Sequence, residues 1–295
     1  MKTLKCTERE KIRRDVIQHI ETIPALPETV MKVIKLIDNA NTRPEELEKY
    51  IGTDQALTAR MLRLVNSSFF GLTQKVITIR RAVVLMGYKT LKSLVIAAAT
   101  SSLLQRQALG YNYAQGGLWR HSLACASGCR ILAMKLGCDI DGADEAFVSG
   151  LLHDVGKLVL APHVARAADR IRELMAAKDE LLSVAEEEIL GINHCQAGHE
   201  IAGKWKLPQK LGTIISTHHK PSEAGNYSKD ATIVHVVDYL LNEEGVGLGD
   251  EEGFVYRLDG AAVYAVRPDK EFWKSFHVEL LEGLQEVNRM FNEIQ

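Results

Sequence analysis

The chain has 295 residues and a mass of 32.8 kDa, enough to bury a sizeable core in one or two domains. Hydrophobic residues at 46% and charged residues at 25% are ordinary globular values and exclude a disordered or collagen-like chain. The 36 basic and 38 acidic side chains leave a net charge of −2, which disfavours a fold dedicated to nucleic acid. The most apolar run, Leu91–Leu104, is broken by Lys92, Ser93, Thr100, Ser101 and Ser102, so no membrane span is expected.

The periodicity is helical almost throughout. A first helix is expected from Thr7 to about Ile20, with no apolar leader segment around it. Ile23-Pro24-Ala25-Leu26-Pro27 then reads as an extended turn, because two prolines fix the backbone there. Val30, Val33, Ile34 and Ile37 line one face of the next helix. Thr42-Arg43-Pro44-Glu45 has the form of a capping box with proline just inside the helix. A helix over Ala56–Val65 ends at Asn66-Ser67-Ser68-Phe69-Phe70-Gly71, and Asp54 and Asn66 are expected to cap helix ends. Val76–Ile79 is the one stretch with some strand character. Arg80–Arg106 is again helical, with a break at Gly87.

Gly110–Gly117, rich in glycine, tyrosine and asparagine, is the expected boundary between two lobes. A second helical block runs from Leu118 to Leu241. Within it, Ser183-Val184-Ala185-Glu186 and Asn193-His194-Cys195-Gln196 both have the form of capping boxes. Gly245–Gly253 reads as a flexible turn, and a last helix covers Asp269–Phe291. The division expected is an N-terminal helix (1–22), an N-terminal helical lobe (23–110), a second lobe (111–245) and a helical extension (246–295). No βαβ alternation is present, so the expected class is all-α.

The histidines carry the chemical signal. Phe147–Leu160 reads as one helix, apolar nearly all round and therefore buried, yet it carries His153, Asp154 and Lys157. Either Asp154 and Lys157 form an internal ion pair beside a core histidine, or the group binds a metal or an anion. Other positions favour a metal. His121 steps with Leu118, Cys125, Gly128 and Leu132 on an inward face. His194 steps with Gly198, Ile201 and Trp205, and His218 with Leu211 and Ile214, with His219 adjoining. Asp238 sits in the apolar stretch Thr232–Leu240. Buried imidazoles and carboxylates need mutual partners or a cation, and this donor set suits iron, manganese, nickel or zinc rather than calcium.

His199 falls off the apolar face and is expected at the surface. Cys125 and Cys129, one turn apart, read as small packing residues, and Cys195 as pointing away from the cluster. The five cysteines contain no CxxC pair and read as reduced thiols, which fits a cytoplasmic protein.

The order His121, His153-Asp154, Asp238 resembles the HD superfamily of metal-dependent phosphohydrolases. It resembles more closely the HDOD branch, the HD-related output domain of bacterial signalling proteins. Ile23-Pro24-Ala25-Leu26-Pro27, Asp54-Gln55-Ala56-Leu57 and Asn66–Gly71 carry the likeness in the first lobe. Leu190–His194, Trp205-Lys206-Leu207-Pro208 and His218-His219-Lys220-Pro221 carry it in the second. The resemblance implies two helical lobes, the second HD-like, with His121, His153, Asp154 and Asp238 as ligands of a divalent metal. From the cyclic-dinucleotide phosphodiesterase branch it implies His194, His218 and His219 as ligands of a second ion and Lys157 as a contact to substrate phosphate. Two features depart from that branch. No Gly-Tyr-Pro turn follows the histidine pair, and Gly117 stands where a ligating glutamate can occur.

Two functions are therefore expected in order. The first is a regulatory output module whose metal site binds a metal or small phosphate-containing ligand and acts through a protein partner. The second is a metal-dependent phosphohydrolase, in which Lys157 would stabilise developing charge and Asp154 would ligate metal and orient the nucleophile. A helical adaptor with a relic cluster stands third.

Overall fold

A computed structural model describes residues 6–39, 41–67, 70, 72, 74–108, 110–111, 113–178, 181–246, 257–266 and 269–292. The described residues contain helices and turns and no strand, so the fold is all-α. The helices are α1 (Cys6–Thr22), α2 (Glu28–Ile37), α3 (Pro44–Ile51), α4 (Gln55–Val65) and α5 (Ile79–Leu104). After the inter-lobe turn come α6 (Gly117–Lys135), α7 (Ile140–Leu152), α8 (Lys157–Lys178), α9 (Leu182–Leu190), α10 (His194–Lys204) and α11 (Gln209–Thr217). The last are α12 (Ser228–Glu243), α13 (Gly260–Val266) and α14 (Lys270–Asn292).

Helices α2, α3 and α4 pack against α5 to make the first lobe, burying Val30, Val33, Leu47, Ile51, Leu57 and Met61. Asp54 caps α4 by accepting from the Leu57 amide at 2.9 Å. Gly87, at φ 79° and ψ 172°, breaks α5 as expected, since only glycine adopts that conformation without strain. The 18-residue window of α5 has a mean hydropathy of 1.5, long and apolar enough to span a membrane by composition, but 56% of it is buried against other helices. It is the core helix of this lobe. Thr90 and Ser93 on α5 bond to Asp144 on α7, so polar contacts as well as a continuous apolar core join the lobes.

The second lobe is built on α6 and α7. Helices α12 and α14 pack on α6, α11 and α12 pack on α7, and α8 to α11 pack on one another in succession. Helix α1 docks on this second lobe, where Lys204 bonds the Ile20 carbonyl at 2.9 Å and Arg9 bonds the Glu187 carbonyl at 2.9 Å.

Four local expectations are corrected by the structure. Val76–Ile79 is not a strand. The Asn66 side chain takes both backbone groups of Val76, donating to its carbonyl and accepting from its amide at 2.7 Å each, and Thr78 then caps α5. Thr42 forms no capping box, because α3 starts one residue later than that motif requires, with Arg43 at the cap and Pro44 in the first turn. Ser183 likewise lies inside α9, whose cap is Leu181. The expected single helix Phe147–Leu160 is two helices, α7 and α8, separated by a turn at His153–Gly156. A Cβ on Gly156 would overlap the His194 carbonyl, so glycine lets this turn press against the start of α10. The Asn193 capping box forms with both of its bonds. Most of the Gly245–Gly253 turn, with Ser68, Phe69 and Gly71, lies outside the described residues.

Candidate metal centre

Three of the site's segments are helix ends. His153 and Asp154 follow the C-terminus of α7, His194 opens α10, and His218 and His219 follow α11. His121 and Asp238 project from within α6 and α12. Helix ends leave main-chain groups unpaired, and the histidines use them. The last-turn carbonyls of Gly150 and Ile215 accept from Nδ1 of His153 and His218 at 2.7 and 2.8 Å. His121 Nδ1 bonds the Val246 carbonyl, and His194 Nδ1 bonds Glu186 Oε2 at 2.6 Å. A carbonyl or carboxylate can only accept, so each Nδ1 carries the proton and each Nε2 turns a lone pair inward.

These lone pairs converge. His121 Nε2 lies 3.3 Å from His153 Nε2 and 3.1 Å from Asp238 Oδ1, and His153 Nε2 lies 3.3 Å from Asp154 Oδ2. Bonds of about 2.0–2.1 Å to a tetrahedral ion set its ligands roughly 3.3 Å apart, so this spacing fits a metal. The other oxygen of Asp154 faces a second group. Asp154 Oδ1 is 3.6 Å from His194 Nε2 and 3.9 Å from His218 Nε2, and His194 Nε2 is 3.0 Å from His219 Nε2. Asp154 Oδ1 and His218 Nε2 are buried without a hydrogen-bond partner. A buried acceptor with nothing to accept from is costly, and a cation would satisfy both.

All seven expected ligand residues therefore meet, and six of them are essentially fully buried. Lys157, also buried, donates to Asp154 Oδ2 at 2.5 Å and lies over the rings of Tyr111 and Tyr113. The internal ion pair weighed as the alternative to a metal site thus forms within the cluster itself.

The electrostatics follow from this burial and pairing. Burial pushes the carboxyls of Asp154 and Asp238 up, but the facing imidazoles, and Lys157 at Asp154, outweigh it and hold both well below the usual carboxylate range. Burial also opposes charge on His153 and His194, yet Asp154 raises the first and Cys195 with Glu186 the second, both well above ordinary histidine. Burial and the neighbouring rings push His218 down to about 3 and His219 well down. Two Nε2 lone pairs facing one another repel unless a proton or a cation lies between them. Without a metal, the raised His153 and His194 favour a proton in that place.

Several participants escaped the sequence reading. By sequence Glu186 reads as part of a capping box. Instead its buried carboxylate accepts from Tyr111 Oη at 2.6 Å and from both the amide and Nδ1 of His194. His235 bridges two segments: its Nδ1 bonds the His218 carbonyl at 2.9 Å, and its Nε2 accepts from the Asp259 amide at 2.8 Å. For His235 the available signal was a histidine in an apolar helix, whereas Glu186, followed by Glu187 and Glu188, carries none. Cys195 does not point away. It is buried, with its sulfur among the ligand atoms of His194, His218 and His219. His199 is exposed and Cys125 and Cys129 pack together, as expected. Gly117 leaves room for the Tyr113 ring, which a Cβ there would touch at 3.2 Å.

The HDOD domain model matches residues 23–221. The chain belongs to the HDOD family. Solved HDOD-like structures share its fold. An HDOD domain protein of unknown function from Geobacter sulfurreducens aligns with a TM-score of 0.75 at 22% identity, over 97% of this chain and 99% of that one. A candidate phosphohydrolase from Shewanella amazonensis gives 0.69 at 23% identity, over 94% and 98%. A candidate signal transduction protein from Marinobacter aquaeolei gives 0.69 at 23% identity, over 96% and 65%. An uncharacterized Treponema pallidum (strain Nichols) protein is 25% identical over 218 residues, 72% of this chain and 40% of that protein, so the HDOD chain spans less than half of this curated relative. Asp238, His235 and the segment carrying Val246 and Asp259 lie beyond the HDOD match.

Proposed function

We propose that this HDOD protein is a regulatory output module of a cytoplasmic signalling pathway. Its second lobe holds one or two divalent transition-metal ions, drawn from iron, manganese, nickel and zinc, and presents them to a small phosphate-containing ligand. Binding is passed to a protein partner. One observation carries the reading: four imidazoles, each fixed by an outward Nδ1 bond, aim Nε2 at the oxygens of Asp154 and Asp238 in a buried cluster. His121, His153, Asp154 and Asp238 would hold the first ion. His194, His218, His219 and Asp154 would hold the second, with Asp154 shared. Mixed imidazole and carboxylate donors suit these metals.

Enclosure favours a ligand that is held over a substrate that is turned over and released. A catalytic metal keeps a position open to substrate. Here Asp154, His153, His194, His218 and Lys157 are each 0% exposed, and His219 keeps 9% of its side chain accessible. The name of the Marinobacter relative, a candidate signal transduction protein, agrees with this order.

Hydrolysis is the second reading, and the full ligand set with Lys157 beside Asp154 favours it. A bound divalent ion lowers the pKa of coordinated water and polarises a phosphoryl oxygen. In this chain Lys157 would neutralise charge on the phosphate, and Asp154 would orient the attacking oxygen. The Shewanella relative, named a candidate phosphohydrolase, belongs with this alternative.

The test has two stages. Protein purified without chelator, and apoprotein reloaded with manganese, iron or zinc, should bind metal, and His153→Ala and Asp154→Ala should not. Absence of bindable metal overturns both readings. The loaded protein is then assayed on mononucleotides, cyclic dinucleotides and generic phosphoesters. Inactivity, together with metal-dependent hydrogen-exchange protection spreading beyond the cluster, supports the output module. Turnover lost in both variants replaces it with the hydrolase.

A further inference from the structure

Cys195 has no part in the seven-residue ligand set, yet its sulfur and one ring nitrogen each of His194, His218 and His219 all lie within 4.8 Å of one another. Around a tetrahedral ion, a Zn–S bond of about 2.3 Å and Zn–N bonds of about 2.1 Å set the donors roughly 3.4–3.6 Å apart, so the four would draw together by up to about 1 Å to share one ion. An independent sign of a missing cation stands opposite: His218 Nε2 is fully buried and has no hydrogen-bond partner.

We propose that Cys195 is a thiolate ligand of the second half of the centre. His194, Cys195, His218 and His219 then supply one sulfur and three nitrogens to that ion, beside the shared Asp154. This inference rests on the metal-binding reading above and sharpens it. Sulfur and imidazole select a borderline-soft ion such as zinc or cobalt. The half made by His121, His153, Asp154 and Asp238, with only nitrogen and oxygen donors, accepts manganese or iron as readily. The two halves thus differ in metal preference. On binding, the thiol proton passes to solvent and the sulfur pair is donated to the ion, with no change of oxidation state. The bland alternative is a small buried side chain that fills space, a role alanine would serve as well.

Cobalt(II) titration of the full-length apoprotein, followed by absorption spectroscopy, separates the two. The expected result is an intense sulfur-to-cobalt charge-transfer band in the near ultraviolet that saturates with one equivalent. The band disappears in Cys195→Ala and Cys195→Ser, while these variants still bind an ion in the other half. Cys125→Ala serves as control, because that thiol lies beside His153, and it should keep the band. Zinc affinity of the Cys195 variants should fall by more than the roughly 10–100-fold typical of losing a partner hydrogen-bonded to a ligand, with manganese affinity unchanged. Zinc-edge X-ray absorption of the unsubstituted protein needs no variant and should show one sulfur at about 2.3 Å. Cobalt or zinc bound with nitrogen and oxygen alone, a band that survives in Cys195→Ala, or one lost in Cys125→Ala overturns the proposal and leaves the metal centre standing. Failure to bind any metal overturns both.

Discussion

Replacing Glu186 tests the tautomer reasoning most directly. Its carboxylate accepts from Tyr111 Oη at 2.6 Å, from the His194 amide at 2.8 Å and from His194 Nδ1 at 2.6 Å, all in a buried environment. Glu186→Gln keeps the shape and an oxygen for His194 but removes the charge that makes His194 a better donor. Losing such a partner typically costs a site 10–100-fold in metal affinity, and the conservative change belongs at the low end, about tenfold or 1.4 kcal/mol. Glu186→Ala also strands the His194 amide and the Tyr111 hydroxyl, each costing about 1–3 kcal/mol when buried and unpaired. It should therefore weaken metal binding towards 100-fold and lower the melting temperature of the metal-free protein. Competition against a chromogenic chelator measures the first effect, and thermal denaturation monitored by circular dichroism the second. Both variants binding metal as tightly as the parent would refute the claim that Glu186 sets the His194 lone pair.

Metal loading at neutral pH should release protons from His153 and His194, whose pKa values are raised, whereas His218, held at about 3, has none to give. Calorimetry in buffers of different ionisation enthalpy counts them. Since protons compete below the raised values, affinity should climb as pH rises through and above neutrality, and a pH-independent affinity would contradict the assignment. In the metal-free protein the same two raised values stabilise the fold fully below pH 6.5, and that contribution fades as pH rises through them. Chelator-treated protein should consequently lose more stability than loaded protein between neutral and alkaline pH in denaturant titrations. Manganese or zinc at a hundredfold over its dissociation constant should stabilise the protein by about 2.7 kcal/mol, read as a melting shift that chelation reverses. Gly156→Ala should destabilise by on the order of 1–3 kcal/mol and weaken metal binding, because its methyl would force the His153–Gly156 turn off α10. Unchanged stability and binding would show that this contact is loose.

Most of the fold was legible because amphipathic periodicity is a local property. The breaks at Gly87 and the caps at Asp54 and Asn193 depend on residues within one turn and were found. Val76–Ile79 misled because its β-branched composition is local, whereas the Asn66 amide that occupies the Val76 backbone lies ten residues away in sequence. The same distinction divides the site. His121, His153, Asp154 and Asp238 are polar residues in apolar helices, an anomaly visible in one dimension. Glu186 fitted a capping motif, and nothing local shows that Tyr111 and His194 converge on it from distant segments. Ideal helical spokes aim Cys195 away from His194, whereas its place in the first turn of α10 brings its sulfur towards the cluster.

Of the four groups that receive the outward protons of His121, His153, His194 and His218, three are main-chain carbonyls, those of Val246, Gly150 and Ile215. No substitution deletes a carbonyl, so point mutation can retune those three rings only by displacing the chain that bears them. The converse also holds. A sliding of α7 or α11 by a fraction of an ångström turns an imidazole, and the grip on a bound ion becomes a gauge of how the helices are seated.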